Sequence, residues 1–242
     1  MVRHIEAVLF DLGGTLMFAR RPWPAIIERA DAALVDVLAA SGVKLKAAIF
    51  RKRLEAYYSV RDQELYETTY HFILREVLKD HGYDEIPEPL LRRALDAMFE
   101  VTRTNWDLRP EAVPTLRELR KDKHRLGIIS NAGDDQDVQE LVRRFGIREF
   151  MDFVVTSAAC SYRKPHPRIF EIAIAHWILE PTNVAMVGDT FEADIVGAAR
   201  LGMYTMWLVP GSEDATSQAS DVVPDVRLRS LTDAIAALRG LT

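Results

Sequence analysis

Apolar positions along this chain repeat with two different periods. Ile5 to Phe10 is a short, mostly apolar run that stops at Asp11-Leu12-Gly13-Gly14-Thr15, the pattern of a buried strand entering a tight loop. No convincing strand follows up to residue 105. Pro22 and Pro24 mark a helix start, and Ile26, Ile27, Ala30, Ala33, Leu34, Val37 and Leu38 then recur at helical spacing. Leu65, Phe72, Ile73, Val77 and Leu78 predict another helix, closed by His81-Gly82, and Leu90, Leu91, Leu95, Met98, Phe99 and Val101 a further one after Pro87 and Pro89. A helical insert is therefore expected over residues 19–105, between core segments 1–18 and 106–242.

From Pro110 the two patterns alternate. Leu126 to Ile129, Phe153 to Val155, Val184 to Val187 and Thr205 to Val209 read as buried strands, separated by helical segments near 111–121, 134–145, 167–179, 192–201 and 231–239. Such alternation predicts an α/β fold, a doubly wound parallel sheet with helices on both faces. Ligands of such sheets bind in the crevice at the carboxyl ends of the strands. A helical insert directly after the first strand would lie over that crevice as a cap. Gly211 to Ser220 is expected as a polar surface loop.

Composition narrows the function classes. The formal charge of -5 argues against a broad basic surface for nucleic acid. No apolar run reaches the ~18 residues of a membrane helix, and Glu6 and Asp11 interrupt the N-terminal apolar stretch, so neither a membrane span nor a signal peptide is expected. Cys160, the single cysteine, excludes an intrachain disulfide and fits a reducing compartment; as a small residue beside a strand end it reads as packing. The expected setting is the cytoplasm, with a small-molecule partner and neither nucleic acid nor membrane. The oligomeric state is not legible.

Four separated segments carry candidate chemistry. Asp11 ends the first strand; alone it reads as a turn cap, but a carboxylate there can also attack an electrophile. Ser130-Asn131 follows another strand, where a hydroxyl and backbone N–H groups either cap a helix or hold a phosphoryl oxygen. Lys164 stands before Pro165, which holds its backbone extended; it is either a solvated lysine or a counter-charge to nucleophile and phosphate. Asp189 closes the strand Val184 to Val187-Gly188, and Asp194 follows five residues later, near a helix start that would itself favour an acid. Three carboxylates in one crevice repel, so either their pKa values rise or a cation sits among them. Few carboxylates, waters and phosphate oxygens are the usual surroundings of Mg²⁺.

Asp11 to Leu16, Ser130-Asn131, Lys164 to Phe170 and Gly188 to Gly202 occur in that order, and together they resemble the haloacid dehalogenase-like hydrolase superfamily, helical-cap branch. Arg163-Lys164-Pro165-His166-Pro167-Arg168-Ile169-Phe170 is similar to its lysine motif, and Gly188-Asp189-Thr190 with Asp194, Gly197-Ala198-Ala199 and Leu201-Gly202-Met203 to its final acidic motif. The likeness covers the core, about two-thirds of the chain; the insert matches a cap in position and helical content. It implies a Rossmann-like core and a phosphatase acting on small phosphate esters. Asp11 would be the nucleophile that forms an aspartyl-phosphate. Mg²⁺ would be held by Asp11, the main-chain oxygen of Gly13 and Asp189, supported by Asp194. Gly14, Ser130, Asn131 and Lys164 would bind the transferring group, with Lys164 also serving catalysis.

The chain departs from that pattern at Gly13, where phosphatases of the superfamily carry the aspartate that protonates the leaving oxygen. Glycine leaves three readings: another proton donor, a leaving group that needs little protonation, or a different reaction. The dehalogenase branch lacks this aspartate too and works without metal; there Arg20 or Arg21 would hold a substrate carboxylate, but Asp189 and Asp194 argue for the metal. A phosphonate-cleaving branch keeps Mg²⁺ but needs a cap lysine, which Lys44, Lys46, Lys52 and Lys79 do not identify. A catalytically impaired phosphate-binding protein is the non-enzymatic alternative. Tyr57, Tyr58, Tyr66, Tyr70, His71, Trp23 and Trp106 read as cap core or pocket lining.

Overall fold

In the computed structural model, residues 3–209 and 221–241 are described. β1 (Ala7–Phe10), β4 (Arg125–Ser130), β5 (Phe153–Thr156), β6 (Val184–Gly188), β7 (Tyr204–Leu208) and β8 (Val226–Leu228) form one sheet in the order β5-β4-β1-β6-β7-β8, every pair parallel. Strand β1 lies between β4 and β6, with Phe10 level with Ile128 on one side and Val187 on the other. The chain therefore winds outward in both directions from β1, which is the switch point where such sheets bind ligands.

Alternation along β1 explains the two layers. Val8 and Phe10 enter one apolar cluster with Leu116, Leu119, Leu141 and Val142 of α5 (Ala112–Lys121) and α6 (Asp135–Arg144), which α10 (Asp233–Arg239) completes through Ala234 and Leu238. Ala7 and Leu9 enter the other, against Ile169, Phe170, Ala173 and Ile174 of α8 (Pro167–Ala175). Strands buried on both faces need continuous apolar runs, and β1 reads Ala-Val-Leu-Phe with every residue at 0 % exposure. The doubly wound reading thus stands.

Helices α1 (Trp23–Ala40), α2 (Ala47–Glu64), α3 (Tyr70–Lys79) and α4 (Glu88–Arg103) build a third cluster of their own, centred on Leu34, Leu38, Phe50, Leu54, Leu74, Leu78, Leu91 and Leu95. α1 packs chiefly on α4. Four helices stand where the apolar pattern predicts three; α2 is the one it lacks, and Leu65, expected in the next helix, is instead the left-handed cap of α2. Two short strands also escaped it. β2 (Met17–Ala19) pairs antiparallel with β3 (Trp106–Leu108), and this ribbon carries the chain into and out of the helical segment. β8 was missed as well, while the loop expected at 211–220 lies outside the described residues. The segment read as one helix at 192–201 is a π-helical stretch, Phe191–Val196, running into the short α9 (Gly197–Ala199). The remaining helix, α7 (Ser157–Cys160), follows β5, and Cys160 there is half-buried with its sulfur 3.5 Å from Tyr162 O. No described helix is long and apolar enough to cross a membrane.

Candidate active site at the sheet switch point

The loop after β1 is tied on both sides. Asp11 N–H donates to Val187 O at 2.9 Å, continuing the pairing with β6, and Leu16 and Met17 N–H both fold back to Leu12 O at 3.0 Å. Gly14 has a φ of +98°, and a Cβ there would come within 2.3 Å of Asp189 Oδ2. Glycine is required twice over at this position, by the backbone and by the close approach of the acid. Arg109 Nη2 donates to Gly14 O at 2.7 Å and fixes the loop from β3's side. Thr15 Oγ1 donates to Asp189 Oδ1 at 3.0 Å, so the first loop orients the distant acid directly.

β6 ends in Gly188 for a similar reason. A Cβ there would meet Asp194 Oδ2 at 2.2 Å, so any side chain would displace that carboxylate. Asp194 is fully buried; its Oδ2 accepts from Thr190 N–H at 3.0 Å while its own N–H donates to Thr190 O at 2.8 Å. Asp189 is held through its backbone as well, its carbonyl accepting from Trp207 Nε1 at 3.0 Å.

Lys164 completes the cluster from the loop before α8. It is 3 % exposed, and its Nζ donates to Asp11 Oδ1 at 2.6 Å and to Ile129 O at 3.0 Å. It also lies 2.7 Å from Asp194 Oδ1, as an ion pair without hydrogen-bond alignment. Asn131 braces this lysine: its Oδ1 accepts from Lys164 N–H at 2.7 Å and its Nδ2 donates to Lys164 O at 2.9 Å. The neighbouring Arg163 is anchored by the buried Glu67, which also accepts from Tyr57 at 2.7 Å and Ser157 at 2.5 Å.

Three buried or half-buried carboxylates thus surround one ammonium, and ligand atoms of Asp11, Asp189 and Asp194 lie within 4.8 Å of one another. Burial pushes the Asp189 carboxyl up to about 6, with the Asp11 charge adding to the rise. Burial also raises Asp194, against the pull of Lys164. Lys164 itself rises to about 12: burial opposes its charge, but Asp11 and Asp194 together outweigh it. Asp11 Oδ2 is buried with no hydrogen-bond partner. An orphaned carboxylate oxygen facing two further acids is what a bound divalent cation would relieve, so this donor set fits a hard metal.

A carboxyl whose pKa rises on folding holds more protons folded than unfolded over that interval. Its contribution to stability therefore falls with rising pH, from the unfolded value near ~4 to the folded one. In chelator, Asp189→Asn is expected to gain in Tm on the wild type as pH rises from about 4 to about 6. Thermal melts across that range check this; a gap that stays constant or narrows contradicts it.

A cavity of about 760 Å³ opens over the cluster, lined by Asp11, Gly13, Trp106, Ser130, Asn131 and Lys164 among others. Every candidate but one is therefore at or beside the same opening. Arg20 is not brought there: its guanidinium is bound by Asp107 Oδ1 and Oδ2 at 2.5 and 2.6 Å on the exposed side of the ribbon. Asn131 reaches the cavity wall, yet its amide is committed to the Lys164 backbone. Sequence reasoning did not find Thr15, Arg109 or Trp207 as supports, nor the place of Trp106 beside Gly13. Thr15 had a signal, being adjacent to the glycine pair; the others join the site only through tertiary contacts.

Comparison with known proteins agrees with the fold. A family model for haloacid dehalogenase-like hydrolase matches residues 5–202. Haloacid dehalogenase-like hydrolase domain-containing protein 3 of Mus musculus is 37% identical over 134 residues, 55% of this chain and 52% of that protein, so the match spans about half its length. Glyceraldehyde 3-phosphate phosphatase of Methanopyrus kandleri is 28% identical over 252 residues, 97% of this chain and 98% of that protein. Among solved structures, a 2-haloacid dehalogenase from Pseudomonas syringae superposes with a TM-score of 0.70 at 26% identity, over 98% of this chain and 100% of that one. The chain belongs to the haloacid dehalogenase-like hydrolases.

Proposed function

We propose that this hydrolase is a Mg²⁺-dependent phosphatase of small phosphate esters. The observation that carries the reading is the joint placement of Asp11, Asp189 and Asp194 around one point, with Asp11 Oδ2 buried and unpartnered. A reaction that expels halide from a neutral carbon centre does not need a cation to neutralise the reacting group. A phosphoryl group brings its own negative charge and must be neutralised. The full-length likeness to a protein named as a phosphatase supports the same choice.

Asp11, the Gly13 carbonyl and Asp189 would hold the ion, with Asp194 behind them. When bound, the ion would neutralise charge on the phosphoryl oxygens and let an anionic ester approach Asp11. Asp11, aimed at the cavity from the end of β1, attacks phosphorus and becomes an aspartyl-phosphate, which water then hydrolyses. Lys164 orients the nucleophile through its 2.6 Å hydrogen bond and offsets charge on the transferring group. Ser130 and the N–H groups of the loops after β1 and β4 receive phosphoryl oxygens. The helical segment of residues 19–105 acts as a cap that limits which alcohols reach this pocket.

The likeness to a 2-haloacid dehalogenase favours a second reading, since Gly13 also suits a leaving group that needs no proton. Metal separates the two. Phosphate release from 4-nitrophenyl phosphate is expected with Mg²⁺ and to vanish on chelation, with no halide released from 2-haloacids. Halide release that survives chelation would replace the phosphatase reading with the dehalogenase one.

A further inference from the structure

A side chain at position 13 would press against an indole. A Cβ built on Gly13 would stand 3.2 Å from Trp106 Cη2, with two more indole carbons within 3.8 Å. Gly13 is not among the glycines with positive φ, so its own backbone does not demand glycine; a Cβ there would need the indole to yield by a few tenths of an ångström. Trp106 is fixed there from two sides. It opens β3 opposite Ala19, and Trp23 of α1 meets it edge-on with ring centroids 5.1 Å apart.

The aromatic wall runs on into a second cavity of about 420 Å³. This cavity shares Trp106, Asn131, Arg61 and Arg163 with the first, and adds Trp23, Tyr58, Tyr70 and Phe99 together with Arg51. The carboxyls on the walls of the two cavities, beyond the Asp11 cluster, each face an arginine: Asp137 with Arg103 at 2.9 Å, Asp134 with Arg92 at 2.7 Å, and the exposed Glu192 with Arg200 at 3.9 Å. Burial pushes the Asp137 carboxyl up to about 7, against the pull of Arg103. The leaving-group side of the site thus has an indole beside Gly13, and beyond it aromatic rings among arginines and arginine-paired carboxyls.

Resting on the phosphatase reading above, the geometry points to aromatic phosphate monoesters as the substrate class, with hydrolysis of the aspartyl-phosphate as the slow step. An alkoxide leaves poorly without a proton, and a positioned general acid is typically worth ~10²–10⁴-fold. A phenolate leaves unaided. As the Asp11 oxygen bonds to phosphorus, the bond from phosphorus to the aryl oxygen breaks. The phenolate keeps the electron pair and takes its proton from solvent. Water then attacks phosphorus, the bond to Asp11 breaks, and inorganic phosphate and the Asp11 carboxylate are released. The group missing at position 13 is also the one that would take the proton of that water, so the second step lacks assistance too. The planar leaving group is received between Trp106 and the aromatic cavity.

The test uses the full chain with Mg²⁺, a series of aryl phosphates of graded leaving-group acidity, and cyclohexyl phosphate as the alkyl counterpart of phenyl phosphate. A burst of about one phenol per active site is expected, followed by a kcat shared by all the aryl esters. kcat/KM is expected to be at least ~10²-fold lower for the cyclohexyl ester. Gly13→Asp combined with Trp106→Ala is expected to abolish the burst and to narrow that gap by about the same factor; Trp106→Ala alone should raise KM for phenyl phosphate more than for cyclohexyl phosphate. Equal kcat/KM for the phenyl and cyclohexyl esters overturns the inference while leaving the phosphatase reading intact. So does fast cyclohexyl ester hydrolysis that is lost in Asp137→Asn, which would make Asp137 the donor. If no ester releases phenol although Mg²⁺ raises Tm, the phosphatase reading falls and this inference with it.

Discussion

Asp11→Asn is expected to lower phosphate release by about 10⁴-fold or more, the scale on which removal of a covalent nucleophile acts. The amide is nearly isosteric with the carboxylate but is not a nucleophile toward phosphorus. Its effect on the fold should be small. Lys164 Nζ keeps Ile129 O at 3.0 Å and Asp194 Oδ1 at 2.7 Å, and one of three mutually repelling acids is gone. Steady-state release of 4-nitrophenol, together with a melting curve of the same preparation, decides it. A variant that folds and still turns over at more than about a tenth of the wild-type rate would remove Asp11 from the nucleophile's place.

Lys164→Met should act on stability as strongly as Asp11→Asn acts on turnover. The lysine is 3 % exposed and, among the described residues, its charge is the cation that pairs with Asp11 and Asp194. Removing one partner of a buried ion pair costs about 3–5 kcal/mol, because the other charge is left uncompensated. For a chain of this length each kcal/mol moves Tm by ~2–4 °C, so a fall of ~6–20 °C is expected in chelator. Three acids without their internal cation should then depend more on an external one. Mg²⁺ is expected to restore more of Tm in Lys164→Met than it adds in the wild type. Calorimetry with and without the ion measures both, and a fall under ~3 °C would mean that Lys164 is not what balances the acids.

How much of this was legible before the fold was known depended on how each residue announces itself. The central strands showed plainly, because burial on both faces leaves little room for polar residues: β1 and β6 are unbroken apolar runs. The acids that close them stood out for the same reason, as charges at the end of apolar stretches. α2 did not show. Its buried apolar side is mainly Phe50 and Leu54, with the half-buried Tyr57 and Tyr58 one turn on, and a stripe that narrow is hard to distinguish from a polar segment. The strands β2, β3 and β8 are three residues each, too short for any period to emerge.

The candidate site divides in the same way. Asp11, Lys164, Asp189 and Asp194 are recognisable because their chemistry is local to their own strand ends. The roles of Thr15, Asn131 and Trp106 are relational. Thr15 matters through Asp189, 174 residues away in sequence, and Asn131 through the Lys164 backbone 33 residues on. Arg20 illustrates the opposite error. An arginine near the first motif invites assignment to an anion, but Asp107 lies across the ribbon and satisfies it there.

The position of β1 in the middle of the sheet also sets an order of assembly. Its two neighbours begin at Arg125 and Val184, whereas the buried cluster of α1 to α4 draws on the contiguous stretch from Ala30 to Phe99. As the chain leaves the ribosome, the helices have all their partners well before β1 has its first. Asp11 is therefore synthesised early, and its surroundings are complete only once β6 and the acids that follow it have been made.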